Sequence, residues 1–485
     1  MPEAVEFSSK GRPANACEPG FRQRRGGILS GFVSLAGFAG LLAAGAPQAS
    51  GQTLTQALAE AYNTNPQLLA QRALLRATDE QVPQALSGWR PTVNFTGQLG
   101  GARASFAQPH ITTGYLTVYQ NSLNLQATQP VYTGGRTLAQ TRQAVNTVEA
   151  TRAQTLAIET SVFQAVSQAY LDVVRDQALV EVDRSNVQVL QKQLEATQDR
   201  FRVGEVTRTD VAQAESSLAQ AVGTLTAAEG TLAQSRAEYV RAVGRSPGIL
   251  LLPRERPALP ATREEAQSLA ANNNFNVISA NFAELAARDN IDVVRSQLLP
   301  QISLVGTLSR LVSPSITLTN SVESEAAIMA QMTMPLYEAG AIYSQTRQAE
   351  QTVGQRLSQV DDARRAAVQT AEDAWETLKA ARASIASFAA AVRAAQIALQ
   401  GTQQEALVGT ATTLDVLIQN QMLLTTQQQL IVAEHDAALA EYNVAAADGR
   451  LVAADLHLPV QLYDMERHYK QVKDKWAGFG GGLKE

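Results

Sequence analysis

Val203-Gly204-Glu205-Val206-Thr207-Arg208-Thr209-Asp210-Val211 occurs a second time, in register, as Val408-Gly409-Thr410-Ala411-Thr412-Thr413-Leu414-Asp415-Val416. The offset is 408 minus 203, or 205 residues. Each copy lies between two alanine- and glutamine-rich patterns of helical period. Each therefore reads as the tight turn of a helical hairpin, with Gly204 or Gly409 in the left-handed position that ends a helix. Thr207 precedes Asp210 by three residues and Thr412 precedes Asp415 by three, the spacing of a capping box at the start of the returning helix. Capping alone explains the two acids, and a functional role stands beside that explanation.

Outward from these turns, the helical pattern that ends at the first tip begins after Gly135 and runs over 136–200, about 65 residues or about 100 Å. Its return arm, 207–243, is much shorter. The helical stretch at 53–86, broken at Asn65-Pro66, has about the missing length, so the two short segments are expected to stack end to end beside the long one. Between them the period changes to two. Val93, Phe95, Gly97 and Leu99 alternate with Thr92, Asn94, Thr96 and Gln98, and Tyr119, Leu123, Leu125 and Ala127 alternate with Gln120, Ser122, Asn124 and Gln126. Strands are expected at 91–103 and 117–131, joined by a polar loop over about 104–113.

The series then repeats. Asn272-Asn273-Asn274 stands where Asn63-Thr64-Asn65 stood, Leu299-Pro300 replaces Arg90-Pro91, and Gln345-Thr346-Arg347-Gln348-Ala349 reproduces Gln140-Thr141-Arg142-Gln143-Ala144. Strands are expected at 301–310 and 324–334, a long helix at 340–404 and a return helix at 412–447. The chain is thus an internal duplication, 52–250 and 262–450, with a linker at 251–261 and a tail at 451–485.

Residues 1–51 have the pattern of a signal peptide: Arg22, Arg24 and Arg25, an apolar run from Ile28 to Ala44, then small residues. A retained membrane helix is the alternative. Without this segment the chain has 35 basic residues (40 minus 5) against 42 acidic ones (45 minus 3) and no cysteine, since Cys17 is the only one. Such a balance argues against nucleic-acid binding. The four histidines, His110, His435, His457 and His468, show no ligand spacing, and Gly480-Gly481-Gly482 lacks a phosphate-loop context. No enzyme activity, metal or cofactor is expected, and Gly480 to Glu485 reads as a flexible tail.

Four strands of about ten residues, each with one apolar face, match the length that crosses a bilayer at a tilt. The alternative is a small soluble sandwich. Four strands cannot close alone and an open edge is not tolerated in lipid, so the membrane reading requires several chains to share a barrel. Trp89, Tyr132 and Tyr337 would then sit at the interface with the periplasm.

The duplication, the Pro before the first strand of each half, the Pro-Val-Tyr-Thr-Gly-Gly (130–135) and Pro-Leu-Tyr-Glu-Ala-Gly (335–340) runs and the paired Val-Gly tips together resemble the TolC-type outer membrane efflux proteins. The resemblance covers nearly all of 52–485. It implies a mainly α fold with a transmembrane β part: a trimeric 12-stranded β-barrel, four strands per chain, continued by a long periplasmic α-helical barrel of coiled-coil hairpins. The implied function is the outer-membrane exit duct of a tripartite system for type I protein secretion or drug efflux. The implied partners are two further copies of the chain, outer-membrane lipid, a periplasmic adaptor, and an inner-membrane ABC or resistance-nodulation-division pump. By match, Val203, Gly204, Val408 and Gly409 are adaptor-binding tips, and Asp210, Asp415 and Thr209 belong to the periplasmic entrance. The tail, with Leu462-Tyr463-Asp464 and His468-Tyr469, resembles the equatorial tail of the type I secretion subgroup. Where the best-known member carries the charges and tyrosine of its gate, this chain has Ala411, Ala406 and Ile418, leaving Arg208, Glu205 and Glu405 as the local charges. A structural coiled-coil spacer or adaptor is the alternative, although a spacer has no use for the strand pairs.

Overall fold

The computed structural model of the protein describes residues 52–108, 111–253, 256–312 and 321–479, with 104–108 and 111–116 described as backbone. The signal-peptide expectation over 1–51, His110 and the terminal 480–485 lie outside the described residues. The first repeat comprises α1 (Leu54–Thr64), α2 (Pro66–Asp79), α3 (Gln81–Leu86), β1 (Thr92–Gln108), β2 (Ile111–Tyr132), α4 (Arg136–Arg202) and α5 (Arg208–Val243). The second comprises α6 (Arg263–Asn273), α7 (Phe275–Arg295), β3 (Gln301–Val312), β4 (Val322–Thr333), α8 (Ala341–Leu407) and α9 (Thr413–Ala447), and the tail holds α10 (Arg467–Val472).

The strands form one antiparallel sheet in the order β1-β2-β3-β4. Its register places Phe95 opposite Leu125, Leu125 opposite Leu308, and Gly306 opposite both Ala127 and Ile328. One face is therefore a continuous apolar surface, and Val93, Phe95, Leu99, Leu125, Leu308 and Ile328 are all exposed on it. The other face carries Thr96, Asn124 and Ser309 from three successive strands. β1 and β4 each have one unpaired edge.

The polar loop expected over 104–113 is a correction. β1 continues to Gln108 and β2 starts at Ile111, with the pairs Ala104–Leu116 and Ser105–Tyr115 in register. Backbone hydrogen bonding across a hairpin needs no apolar side chains, so a polar stretch can extend a strand pair whose register is already set. β2 also runs one residue beyond the expected 131, through an irregularity between Pro130 and Tyr132.

Each long helix has 67 residues, about 100 Å, and the short helices meet end to end beside it. At the first junction Asn65 Oδ1 accepts from the Gln67 N–H (2.9 Å), which starts α2, and Asn65 Nδ2 donates to Ala242 O (3.1 Å), which ends α5. At the second, Asn274 repeats both bonds, to Asn276 N–H (3.0 Å) and Ala447 O (3.2 Å). One side chain thereby satisfies an orphan donor of one helix and an orphan acceptor of another. Gly449, φ +73°, passes so close to this second junction that a Cβ there would lie 2.5 Å from Asn273 O.

The main core surrounds the first junction. Phe163, Val166 and Tyr170 of α4 pack with Leu58 and Tyr62 of α1, Leu68 of α2, Tyr239 of α5, Tyr442 and Ala445 of α9, and Leu451 and Ala453 of the tail. Burying each large side chain here is worth about 2–3 kcal/mol. The Tyr170 hydroxyl lies 2.7 Å from Gln52 O and 2.8 Å from Leu251 O, tying the start of the described chain to the connection between repeats. That connection is packed against the core: Leu250 is buried and bridges to Gln52.

The two hairpins are joined by a polar seam between α4 and α9. Asn420 donates to Asn186 (2.7 Å), Gln428 donates to Asp183 (2.7 Å), and His435 lies 2.9 Å from Asp172 through Nε2 and 2.9 Å from Asp436 through Nδ1. The Nε2 approach is a close charge contact that is not aligned as a hydrogen bond. Arg175 holds Asp172 and Asp176 (2.8 Å each), and Ser235 of α5 donates to Asp176. Burial disfavours the imidazolium, but Asp172 and Asp436 outweigh it and push the His435 pKa above its ordinary value. Asp172 is likewise penalised by burial, and its close contacts with His435 and Arg175 outweigh that and hold its carboxyl low.

The histidine's contribution is thus complete below its unfolded pKa of about 6.5 and is lost as the pH rises through the higher folded value. The expected result is a melting temperature that falls by about 2 °C between pH 6.5 and 9 in the native chain. His435→Gln, melted across the same range, should show a smaller fall. An equal fall in both would mean that this histidine does not carry the effect.

Candidate functional site at the helical tips

Both tips are built alike. The Glu205 N–H donates to Arg200 O (3.0 Å) and the Thr410 N–H donates to Glu405 O (2.9 Å), the bond that closes a Schellman turn. Gly204 and Gly409 have φ of +84° and +81°, a region costly for any side chain with a Cβ. Around these turns the apolar side chains face outward: Val203 is 72% exposed and Val408 76%, with Leu407 and Phe201 exposed beside them. A helical turn ordinarily presents polar groups to water, whereas these paired tips expose four apolar side chains. Leu407 and Phe201 escaped the sequence reading because each is the last apolar residue of a long helix and looks like core. Only the turn geometry turns them out.

Thr207 and Thr412 cap the returning helices, and both capping boxes are complete. Asp210 Oδ2 accepts from the Thr207 N–H (2.8 Å) and hydroxyl (2.7 Å), and the Asp210 N–H donates back to Thr207 Oγ1 (3.3 Å). Asp415 makes the same set with Thr412, at 2.9, 2.7 and 3.2 Å. These bonds, the threonine hydroxyls first, hold both carboxyls below the ordinary aspartate value, with Arg200 adding to the effect at Asp210. The cap occupies one oxygen of each carboxylate. A capping role and a role toward ions in solution therefore do not compete for the same atom. Asp415 is exposed, Asp210 is partly covered, and Thr209 is exposed between cap and acid.

Of the local charges, Glu205 is held by Arg200 (3.1 Å). Ala411 and Ala406 bring no charge, and Leu414, Ile418 and Met422 form an exposed apolar row on α9 beside Asp415. Of the three aromatics expected at the membrane interface, Trp89 ends the turn before β1 and Tyr132 ends β2, both exposed, and Tyr337 stands almost fully exposed just after β4. Among the described residues no group of three or more His, Cys, Asp or Glu is placed to hold a metal ion, and no helix is long and apolar enough to cross a membrane.

A sheet with one apolar face and two open edges, set on helical hairpins about 100 Å long, defines a protomer of a membrane channel. The family model for outer membrane efflux proteins matches residues 57–245 and again 266–450, and the chain belongs to that family. The two matches coincide with the two repeats. The outer membrane efflux protein BepC of Brucella suis is 35% identical over 430 residues, covering 88% of this chain and 92% of BepC. TolC of Salmonella enteritidis is 26% identical over 410 residues, covering 80% and 79%. Among solved structures, VceC of Vibrio cholerae superimposes with a TM-score of 0.71 at 21% identity, over 82% of this chain and 96% of that one. The fold is accordingly that of the trimeric channels, in which three chains of four strands make a 12-stranded barrel. The protein is an outer-membrane exit duct for export, and the spacer alternative has no support.

Proposed function

We propose that the two tips are where a periplasmic adaptor docks, and that Asp415, with Asp210 and Thr209 behind it, lines the periplasmic entrance of the trimer. The observation that carries this reading is the duplicated turn, with Val203, Leu407 and Val408 held outward on glycines of positive φ. Trp89, Tyr132 and Tyr337 sit at the base of the strands as an aromatic belt at the lipid interface. The inner-membrane partner is a pump of the ABC or resistance-nodulation-division class. Pseudomonas aeruginosa AprF, 27% identical over 264 residues, carries the name of an alkaline protease secretion protein and supports protein secretion as the export route.

Closure of the entrance follows from what the chain lacks. With Ala411 and Ile418 in place of charged partners and Glu205 held by Arg200, the carboxylate ring, the apolar row Leu414, Ile418 and Met422, and the charges Arg208 and Glu405 are the groups left to close it. Three like charges across a narrow pore favour bound cations or raised carboxyl pKa values, opposing the lowering that each cap produces alone.

Gly204→Val and Gly409→Val test the docking surface. A β-branched residue at positive φ distorts the turn, while the barrel, about 100 Å away, is untouched. Capture of the cognate adaptor by purified variant trimers should fall about tenfold or more, since a distortion costing 1–2 kcal/mol or more acts directly on the contact. Trimers that capture adaptor as well as the native protein would remove the tips from the interface.

A further inference from the structure

Along the tail, three aromatic rings lie on three arginines of the first repeat. Tyr463 covers Arg72 (5.0 Å to the ring centroid), Tyr469 covers Arg152 (5.2 Å) and Trp476 covers Arg90 (5.0 Å). Hydrogen bonds set these positions. The Tyr463 N–H donates to the Tyr62 hydroxyl (2.9 Å), His468 Nδ1 lies 3.2 Å from Asp79, and Arg90 Nη1 donates to Lys475 O (2.6 Å). The tail is thus a strap that runs from the core at the helix junction to the residue just before Pro91 and β1. Tyr463 and Tyr469 are partly buried along the way. Trp476 is 70% exposed, and Phe479 beyond it is fully exposed.

The duplication shows why an exposed indole belongs there. The second repeat has Leu299 at the position of Arg90, an offset of 209, directly before Pro300 and β3, and Leu299 is itself exposed. The first repeat places a cation at that level, and the tail lays a tryptophan over it. Both strand pairs thereby start from an apolar surface. The exposed apolar face of β1 begins at Val93, three residues after Arg90, so the indole over Arg90 sits close along the chain to where that face begins. Lys473 and Lys475 flank the indole, and tryptophan beside lysine and arginine is the pattern that prefers the headgroup level of a bilayer.

We infer that Trp476 and Phe479 form a membrane-interface anchor, entering the headgroup layer of the phospholipid surface at the periplasmic base of the barrel and fastening the C-terminal strap to it. The inference rests on the outer-membrane placement of the strands and is independent of the role proposed for the tips.

The test uses the full chain with Trp89→Phe and Trp375→Phe, which leaves Trp476 as the only indole. Trimers are reconstituted into vesicles of phosphatidylethanolamine with a minority of phosphatidylglycerol, part of the lipid being brominated either near the headgroup or deep in the chain. Trp476 emission should fall by about half with shallow bromines and clearly less with deep ones, as expected of an interfacial ring. Emission indifferent to bromine and quenched by dissolved acrylamide would place the ring in water and overturn the inference. Emission indifferent to bromine and shielded from acrylamide equally in detergent and vesicles would mean that a neighbouring chain covers the ring, and would also overturn it. A Phe479→Cys chain with Cys17→Ser, carrying an environment-sensitive bimane, reads the same contact with every tryptophan in place. Its emission should shift to the blue on transfer into vesicles, and an unshifted spectrum counts against the anchor.

Discussion

Trimers carrying Asp415→Asn are expected to lose about tenfold in sensitivity to block by multivalent cations in planar bilayers, as removing three converging charges should. Asparagine keeps the shape and still accepts the bonds from the Thr412 N–H and hydroxyl, so the helix start survives. What it loses is the charge on the oxygen that the cap leaves free. If the carboxylate serves only as a cap, the variant should match the native channel in selectivity and block, and the entrance role would be abandoned. Asp210→Asn is the internal comparison. It removes an identical cap charge from a more covered position, so its effect on block should be smaller.

The second large effect concerns assembly. Gly449→Val should destabilise the protein by about 2–5 kcal/mol, from side-chain strain at positive φ together with overpacking. A Cβ at this position meets the backbone oxygen of Asn273 at 2.5 Å and the Asn273 carbonyl carbon at 3.1 Å, and neither can rotate away. The distortion falls where α9 abuts α6 and α7. The readout is the temperature at which purified trimers dissociate to monomers on a denaturing gel. Gly354→Ala in α8 is the control: a Cβ there meets nothing within 4 Å, and the change should be neutral or slightly stabilising. A Gly449→Val trimer as heat-resistant as the native one would show that the junction tolerates the displacement.

The duplicated tip was legible because a repeated string at constant offset is visible without knowledge of packing, and because Gly after a long helix and Thr three residues before Asp each have a local physical meaning. The strand faces were legible for the same reason, since a period of two is a local property. The extent of β1 and β2 was not, because pairing through polar residues depends on the partner strand. Contacts between distant segments were the least accessible. His435 and Asp172 are 263 residues apart, and nothing near either marks it as a partner of the other. The arginines under Tyr463, Tyr469 and Trp476 lie in two helices and a turn, and only the path of the tail brings them into line.

The asparagine junctions make the molecule a matter of matched lengths. α4 is unbroken over 67 residues, while its partner wall is assembled from the 36 residues of α5 and, beyond the Asn65 joint, the 14 of α2 and the 6 of α3. Removing two turns from α4 alone would draw the tip about 10 Å toward the barrel, leave α5 too long, and drive Ala242 past the amide meant to hold it. The links from Asn186 to Asn420 and from Asp183 to Gln428 extend the same constraint to α9, and through the second tip to α8. A duct of this design can become shallower or deeper only by the same heptad in four helices at once. Depth across the periplasm is therefore inherited as a single gauge, which an isolated insertion in any one helix cannot reset.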